Sequence, residues 1–186
     1  MPVTTTNLIM GPATLYIANF GAAEPLDTDV NNTPPASAWT DLGGTQDGLK
    51  LTVDQTYTEL EVDQIVDVPG ARLTKRLMTV ETNLAEPTLE NLKYVLNDGV
   101  ASSGAGFKAF DPVYASSATQ PTYRALMADG YGPDQRRRRV ILRKILSNDK
   151  VESTYKKDGQ TFFTVKWAGF YVSSSIAPFH FVDATS

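Results

Sequence analysis

The sequence predicts a mainly β fold: a β-sandwich or barrel-like subunit with one packed α-helix and a long projecting β-hairpin arm. Three observations predict it. Residues 48–58 and 71–84 alternate apolar and polar side chains over unusual lengths. Turn signals rich in Gly, Pro, Asn and Asp separate seven or eight strand-like runs. Only one stretch, residues 87–98, has helical spacing of apolar residues.

The elements follow in order. Residues 13–19 (ATLYIAN) read as a short strand after the Gly11-Pro12 turn, and residues 20–38 as a long surface loop holding three prolines. Asp27, Asp29 and Asn31 imitate the opening of a calcium loop, but the positions that need glycine and glutamate hold Asn32 and Ala38. From Gly48, residues Leu49, Leu51, Val53 and Tyr57 point one way and Lys50, Thr52, Asp54, Thr56 and Thr58 the other. Leu60 and Val62 then occupy the opposite parity, which predicts a bulge or bend near Glu59. Val68-Pro69-Gly70 is read as the reversal, making residues 59–72 a projecting arm. The returning strand puts Met78, Val80 and Leu84 on one face and Thr79, Glu81 and Asn83 on the other.

Glu86-Pro87 is expected to start the helix, with Leu89, Leu92, Val95 and Leu96 as its core stripe and Asn97-Asp98-Gly99 as its stop. Residues 101–106 (ASSGAG) read as a flexible connection and 107–114 as ambiguous. Strands are expected at 122–128, 138–146, 151–156 and 161–172. Phe163, Val165, Trp167 and Tyr171 form the apolar face of the last of these, and the tail PFHFVDATS can add an edge strand. Residues 1–186 are read as one domain, a length able to bury a sizeable core.

Composition narrows the chemistry. The chain has 41% hydrophobic and 20% charged residues, no cysteine and a single histidine, His180. Thiol catalysis, cysteine-ligated zinc and histidine clusters are excluded. No apolar run matches a membrane span and no signal peptide is evident, so a soluble protein without membrane contact is expected. DLGGTQDG lacks the Lys-Ser/Thr of a phosphate loop, and His180 has no nucleophile motif beside it. Neither a catalytic residue, a cofactor nor a metal site is expected.

The net charge of −4 conceals a division. Residues 1–71 carry ten acids and one base, Lys50, a net −9, and residues 72–186 carry 11 acids and 16 bases, a net +5. Such a division suits head-to-tail association, unless the fold interleaves the halves. The run Arg136, Arg137, Arg138, Arg139, followed by Arg143 and Lys144, is the one nucleic-acid-like signal. Adjacent arginines on a strand project to both faces, and the sequence pI is 5.0. An interface rim meeting carboxylates is the better use for them.

The order WTDLGGTQDGLKL, Val62-Asp63-Gln64, a proline turn and LMTVETNLAEPTLENLKYVLN, together with GPATLYIANFG near the start, resembles the tail tube (major tail) proteins of long-tailed bacteriophages and related tail-like particles. The likeness covers residues 39–98, and beyond Gly99 only strand pattern and length agree. It implies a β-sandwich flanked by a helix, assembling in rings, generally hexameric, that stack into a tube. It also implies tape measure, tail terminator and tip proteins as partners, DNA that passes through without specific binding, assembly in the host bacterial cytoplasm and a final place in the virion tail. A non-contractile tail is the favoured form. Six subunits giving four strands each, about 4.8 Å apart and tilted about 45°, make a barrel about 50 Å wide, which admits duplex DNA.

On that reading Thr52, Asp54, Thr56, Thr79, Glu81 and Asn83 are lumen-lining candidates, which on an isolated sandwich are ordinary solvent-facing positions. Short hydroxyls and carboxylates there would repel phosphate. Glu59, Glu61, Asp63, Asp67 and Arg72 of the arm, with Arg136 to Arg139, are subunit-interface candidates. A carbohydrate- or receptor-binding β-sandwich module of a tail tip or decoration protein is the alternative, favoured by exposed Trp and Tyr. A small hydrolase is the third.

Overall fold

A computed structural model describes residues 3–113, 118 and 120–185. The chain is mainly β, with one helix and a large antiparallel sheet. The strands are β1 (Thr14–Asn19), β2 (Thr40–Asp41), β3 (Thr45–Val62), β4 (Ile65–Leu84), β5 (Gly99–Gly104), β6 (Phe107–Pro112), β7 (Arg124–Tyr131), β8 (Arg137–Ser147), β9 (Glu152–Ser153), β10 (Phe163–Gly169) and β11 (Phe179–Asp183); the helix is α1 (Leu89–Val95). The main sheet runs β2-β1-β7-β8-β10-β4-β3, with β11 also on β8 and β9 also on β10. β5 and β6 make a separate hairpin.

Period-2 alternation places the core. Leu15 and Ile17 of β1, Leu126 and Ala128 of β7, Val140 and Leu142 of β8, Val165 and Trp167 of β10, and Met78, Val80 and Leu84 of β4 form one buried cluster. Strands far apart in sheet order touch the same core, so the sheet curls around it. Val95 of α1 is buried in that cluster, with Leu92 and Tyr94 packed on it. The opposite face of β1, β7 and β8 buries Ala18, Ala125, Met127 and Ile141 beneath Trp39.

The WTDLGG stretch ties these layers together. Trp39 donates its indole N–H to the Ala23 carbonyl at 3.0 Å, pinning the 20–38 loop. The Asp41 carboxylate accepts from Gly43 N–H at 2.8 Å, and Gly43 turns at φ +81 beside the Glu86 carboxyl, a left-handed conformation that favours glycine. The Leu42 carbonyl accepts from the buried Asn91 amide at 2.9 Å, which joins sheet to helix.

Several elements differ from expectation. α1 starts after Pro87, because Thr88 is the N-cap and its hydroxyl accepts from Asn91 N–H at 3.1 Å. Leu96 is exposed outside the helix. Residues 101–106 are not a connection; they close the β5–β6 hairpin, whose flat run of small residues shows no alternation to read. Residues 107–112 are its second strand, and residue 114 lies outside the described residues. Residues 151–156 keep only the two-residue β9. β10 ends at Gly169, so Tyr171 leaves the apolar face and is 69% exposed.

Candidate functional site

The most unusual feature is the β3–β4 ribbon. The strands have 18 and 20 residues against a usual five or six. From Val53 outward on β3 and back to Arg76 on β4, all residues but the half-buried Gly70 are exposed. That range is wider than residues 59–72. Its tip is the two-residue Asp63-Gln64 turn between Val62 and Ile65, and Pro69-Gly70 lies inside β4. The missing N–H of Pro69 is tolerable there because pairing near the tip is irregular.

The parity change at Leu60 has a different cause from the expected bulge at Glu59. The extra residue sits on β4: Thr56 faces Lys75 and Tyr57 faces Leu73, which leaves Thr74 unpaired. β3 continues without a slip, so Leu60 and Val62 emerge on the face that carries Thr52, Asp54 and Thr56. One ribbon face is therefore polar at its root and apolar at its tip. Leu60, Val62, Ile65, Val66 and Val68 are all exposed there or beside the turn.

Both ribbon edges are open. β3 is the last strand of the sheet, and β10 pairs β4 only over residues 79–84. Among the described residues, 65–78 of β4 therefore have β3 as their only strand neighbour. Open edges with exposed aliphatic side chains are templates for further strand pairing.

Register puts Thr52, Asp54, Thr56, Thr79, Glu81 and Asn83 on one face of β3 and β4. Thr79 is buried, while Asp54 and Thr56 are exposed. The face is not hydroxyl and carboxylate alone. Lys50 and Lys166 hold Glu81 at 3.5 and 2.6 Å, and the Lys166 hydrogen bond keeps the Glu81 pKa below its ordinary value. Thr164 donates to the Asn83 side-chain oxygen at 2.9 Å, and the Asn83 amide donates to Asp47 at 3.1 Å.

The arginine run is divided by the fold. Arg139 is 1% exposed and makes a bidentate pair with Asp129, itself 3% exposed, at 2.7 and 2.7 Å. It also donates to the Asp29 and Asn32 carbonyls of the 20–38 loop, at 3.3 and 2.8 Å. Arg138 pairs with Asp183 across β8 and β11 at 2.6 Å on both nitrogens; that hydrogen bond holds the Asp183 pKa low and raises that of Arg138. Arg136 donates to the Thr185 carbonyl, and Arg137 is half-buried opposite Tyr131. Arg143 pairs with Glu24 at 2.6 and 2.9 Å. Arg138 and Arg139, expected at a subunit interface, are paired inside the chain, and burying Arg139 without Asp129 would strand a charge. Glu59, Glu61, Asp63 and Asp67 cluster at the ribbon tip and make no ion pair among the described residues, and Arg72 stands on β4 opposite Thr58.

Asp129, Asp183 and Glu24 were missed in the sequence as arginine partners. Asp129-Gly130 reads as a turn dipeptide, and only register shows Asp129 opposite Arg139. Both tryptophans are buried, which removes the tryptophan platform that a carbohydrate-binding face would use. The described residues hold no group of three or more His, Cys, Asp or Glu able to grip a metal. No helix is long and apolar enough to cross a membrane. No protein-family model matches the chain, and no curated sequence matches it.

Proposed function

We propose that this chain is a structural subunit of a tail tube, of the kind its 39–98 segment resembles, that assembles with copies of itself into stacked rings of a virion tail. The observation that carries the reading is the ribbon with two open edges. The outer edge of β3 on one copy and the outer edge of β4 on the next are different surfaces, so their pairing is head-to-tail. Such pairing closes into a ring or continues as a helix. The exposed aliphatic side chains of the ribbon gain burial in the same step. On this reading the exposed part of the Thr52 to Asn83 face lines the conduit, where Asp54 repels phosphate and Lys50 and Lys166, both paired with Glu81, moderate that repulsion.

Negative-stain microscopy of the purified chain over rising concentration tests the proposal. Rings or long tubes with a central channel are the expected result. A compact monomer that persists at the highest concentration refutes it.

A further inference from the structure

We propose that the ribbon tip of one copy seats in the fork between β10 and β11 of the next copy, where its acids meet Arg76. This rests on the self-assembly reading above and names a receiving site outside the arginine run.

The fork is a consequence of register. On one edge, β8 pairs β11 over residues 138–142 and β10 over residues 145–147. The two partners diverge, and residues 170–178 bridge the gap between them. The resulting cleft has a volume of about 430 Å³ and is lined by Arg76, Met78, Leu142, Tyr171, Ile176 and Phe179 among others. Ser173, Ser174 and Ser175 line it as well, so apolar walls face a serine flank, with one cation at the rim. The Arg76 guanidinium lies 5.4 Å from the centre of the Phe179 ring and has no carboxylate partner among the described residues.

The tip has the complementary character. Leu60, Val62 and Ile65 are exposed aliphatic side chains, and Glu59, Glu61, Asp63 and Asp67 have no ion pair among the described residues. A copy cannot fill its own cleft. Arg76 is at the root of the same ribbon, eleven extended residue steps from Ile65, a distance of about 36 Å. The occupant therefore comes from another molecule, and the same chain supplies an apolar, acidic plug and a partly apolar, serine-flanked socket with a cation at its rim. The contact uses different surfaces on the two partners, so every copy can give and receive.

The chain has no cysteine, which makes cross-linking clean. Full-length Asp63→Cys and Ser174→Cys variants are mixed and mildly oxidised, while sedimentation and microscopy follow assembly. The expected result is a mixed Asp63→Cys to Ser174→Cys disulfide exceeding either homodimer. Arg76→Glu is expected to raise the half-assembly concentration at least tenfold, Arg76→Gln to raise it less, and Glu61→Lys added to Arg76→Glu to recover part of the loss; thermal melts confirm that each variant folds. Rings or tubes that form without the mixed disulfide, and that Arg76→Glu leaves unchanged, overturn the seating while the tube reading stands. The mixed disulfide without rings or tubes keeps the seating and refutes the tube. A small molecule retained in the cleft, seen by native mass spectrometry of the assembled protein, overturns the seating as well.

Discussion

The body and the ribbon of this protein treat the same residue types in opposite ways. In the body, aliphatic residues are buried in two clusters and the arginines have partners: Arg138 with Asp183, Arg139 with Asp129, Arg143 with Glu24. On the ribbon, five aliphatic residues around the tip are exposed and four acids make no ion pair among the described residues. Most of the body's buried groups find partners inside the chain, whereas the ribbon's exposed aliphatic and acidic groups do not among the described residues. On the proposed reading the body carries stability and the ribbon association.

The largest effect is expected at Arg139. Arg139→Met leaves Asp129 buried and two loop carbonyls without a donor, at a cost of about 3–5 kcal/mol. Thermal denaturation is expected to show a fall in Tm of about 6–20 °C for a chain of this size. Asn91→Ala removes two 2.9 Å bonds, to the Leu42 and Glu86 carbonyls, and unfolding in urea is expected to report a loss of about 1–3 kcal/mol. On the ribbon the ranking reverses. Leu60→Asn with Val66→Asn is expected to change monomer stability by less than about 0.5 kcal/mol, because both side chains are exposed, while sedimentation velocity shows assembly lost. A ribbon variant that lowers Tm as much as Arg139→Met would erase the distinction.

The smallest effect concerns acid. Hydrogen bonding from Arg138 lowers the Asp183 pKa. Burial pushes Asp98 up, but the Gly99 N–H, the Thr122 hydroxyl, Lys93 and Arg124 outweigh it and leave its pKa low. Groups depressed in the folded state contribute stability above the ordinary carboxylate value near 4, and lose it as pH falls through their folded values. Because Asp183 is substantially exposed, its share is about 0–1 kcal/mol. Melting of Asp183→Asn between pH 6 and 3 (a range of about 3 units around that value) is expected to fall less steeply than that of the parent.

How much of this was legible in the sequence depends on the length scale of the signal. Alternation in residues 48–58 and 71–84 is local, so both strands of the ribbon and the inward side chains Met78, Val80 and Leu84 could be read directly. The parity change at Leu60 was visible, but its source was not, since the bulge lies at Thr74 on the opposite strand. Pro69-Gly70 outweighed Asp63-Gln64 as a turn signal, although a two-residue hairpin needs no proline. The seven residues of α1 were legible from their spacing, and the start after Pro87 was set by the Thr88 cap. The least legible feature was the fate of the arginines. Register across β7, β8 and β11 chooses the partners of Arg138 and Arg139, and no local pattern encodes it.

The central claim is that copies of the chain complete the open ribbon edges, and hydrogen exchange of peptides spanning residues 53–76 tests it most directly. At dilution these amides are expected to exchange rapidly beside a protected body, and after assembly those on the outer edges of β3 and β4 are expected to slow at least tenfold. Equal and rapid exchange of the ribbon in dilute and assembled samples would contradict the account.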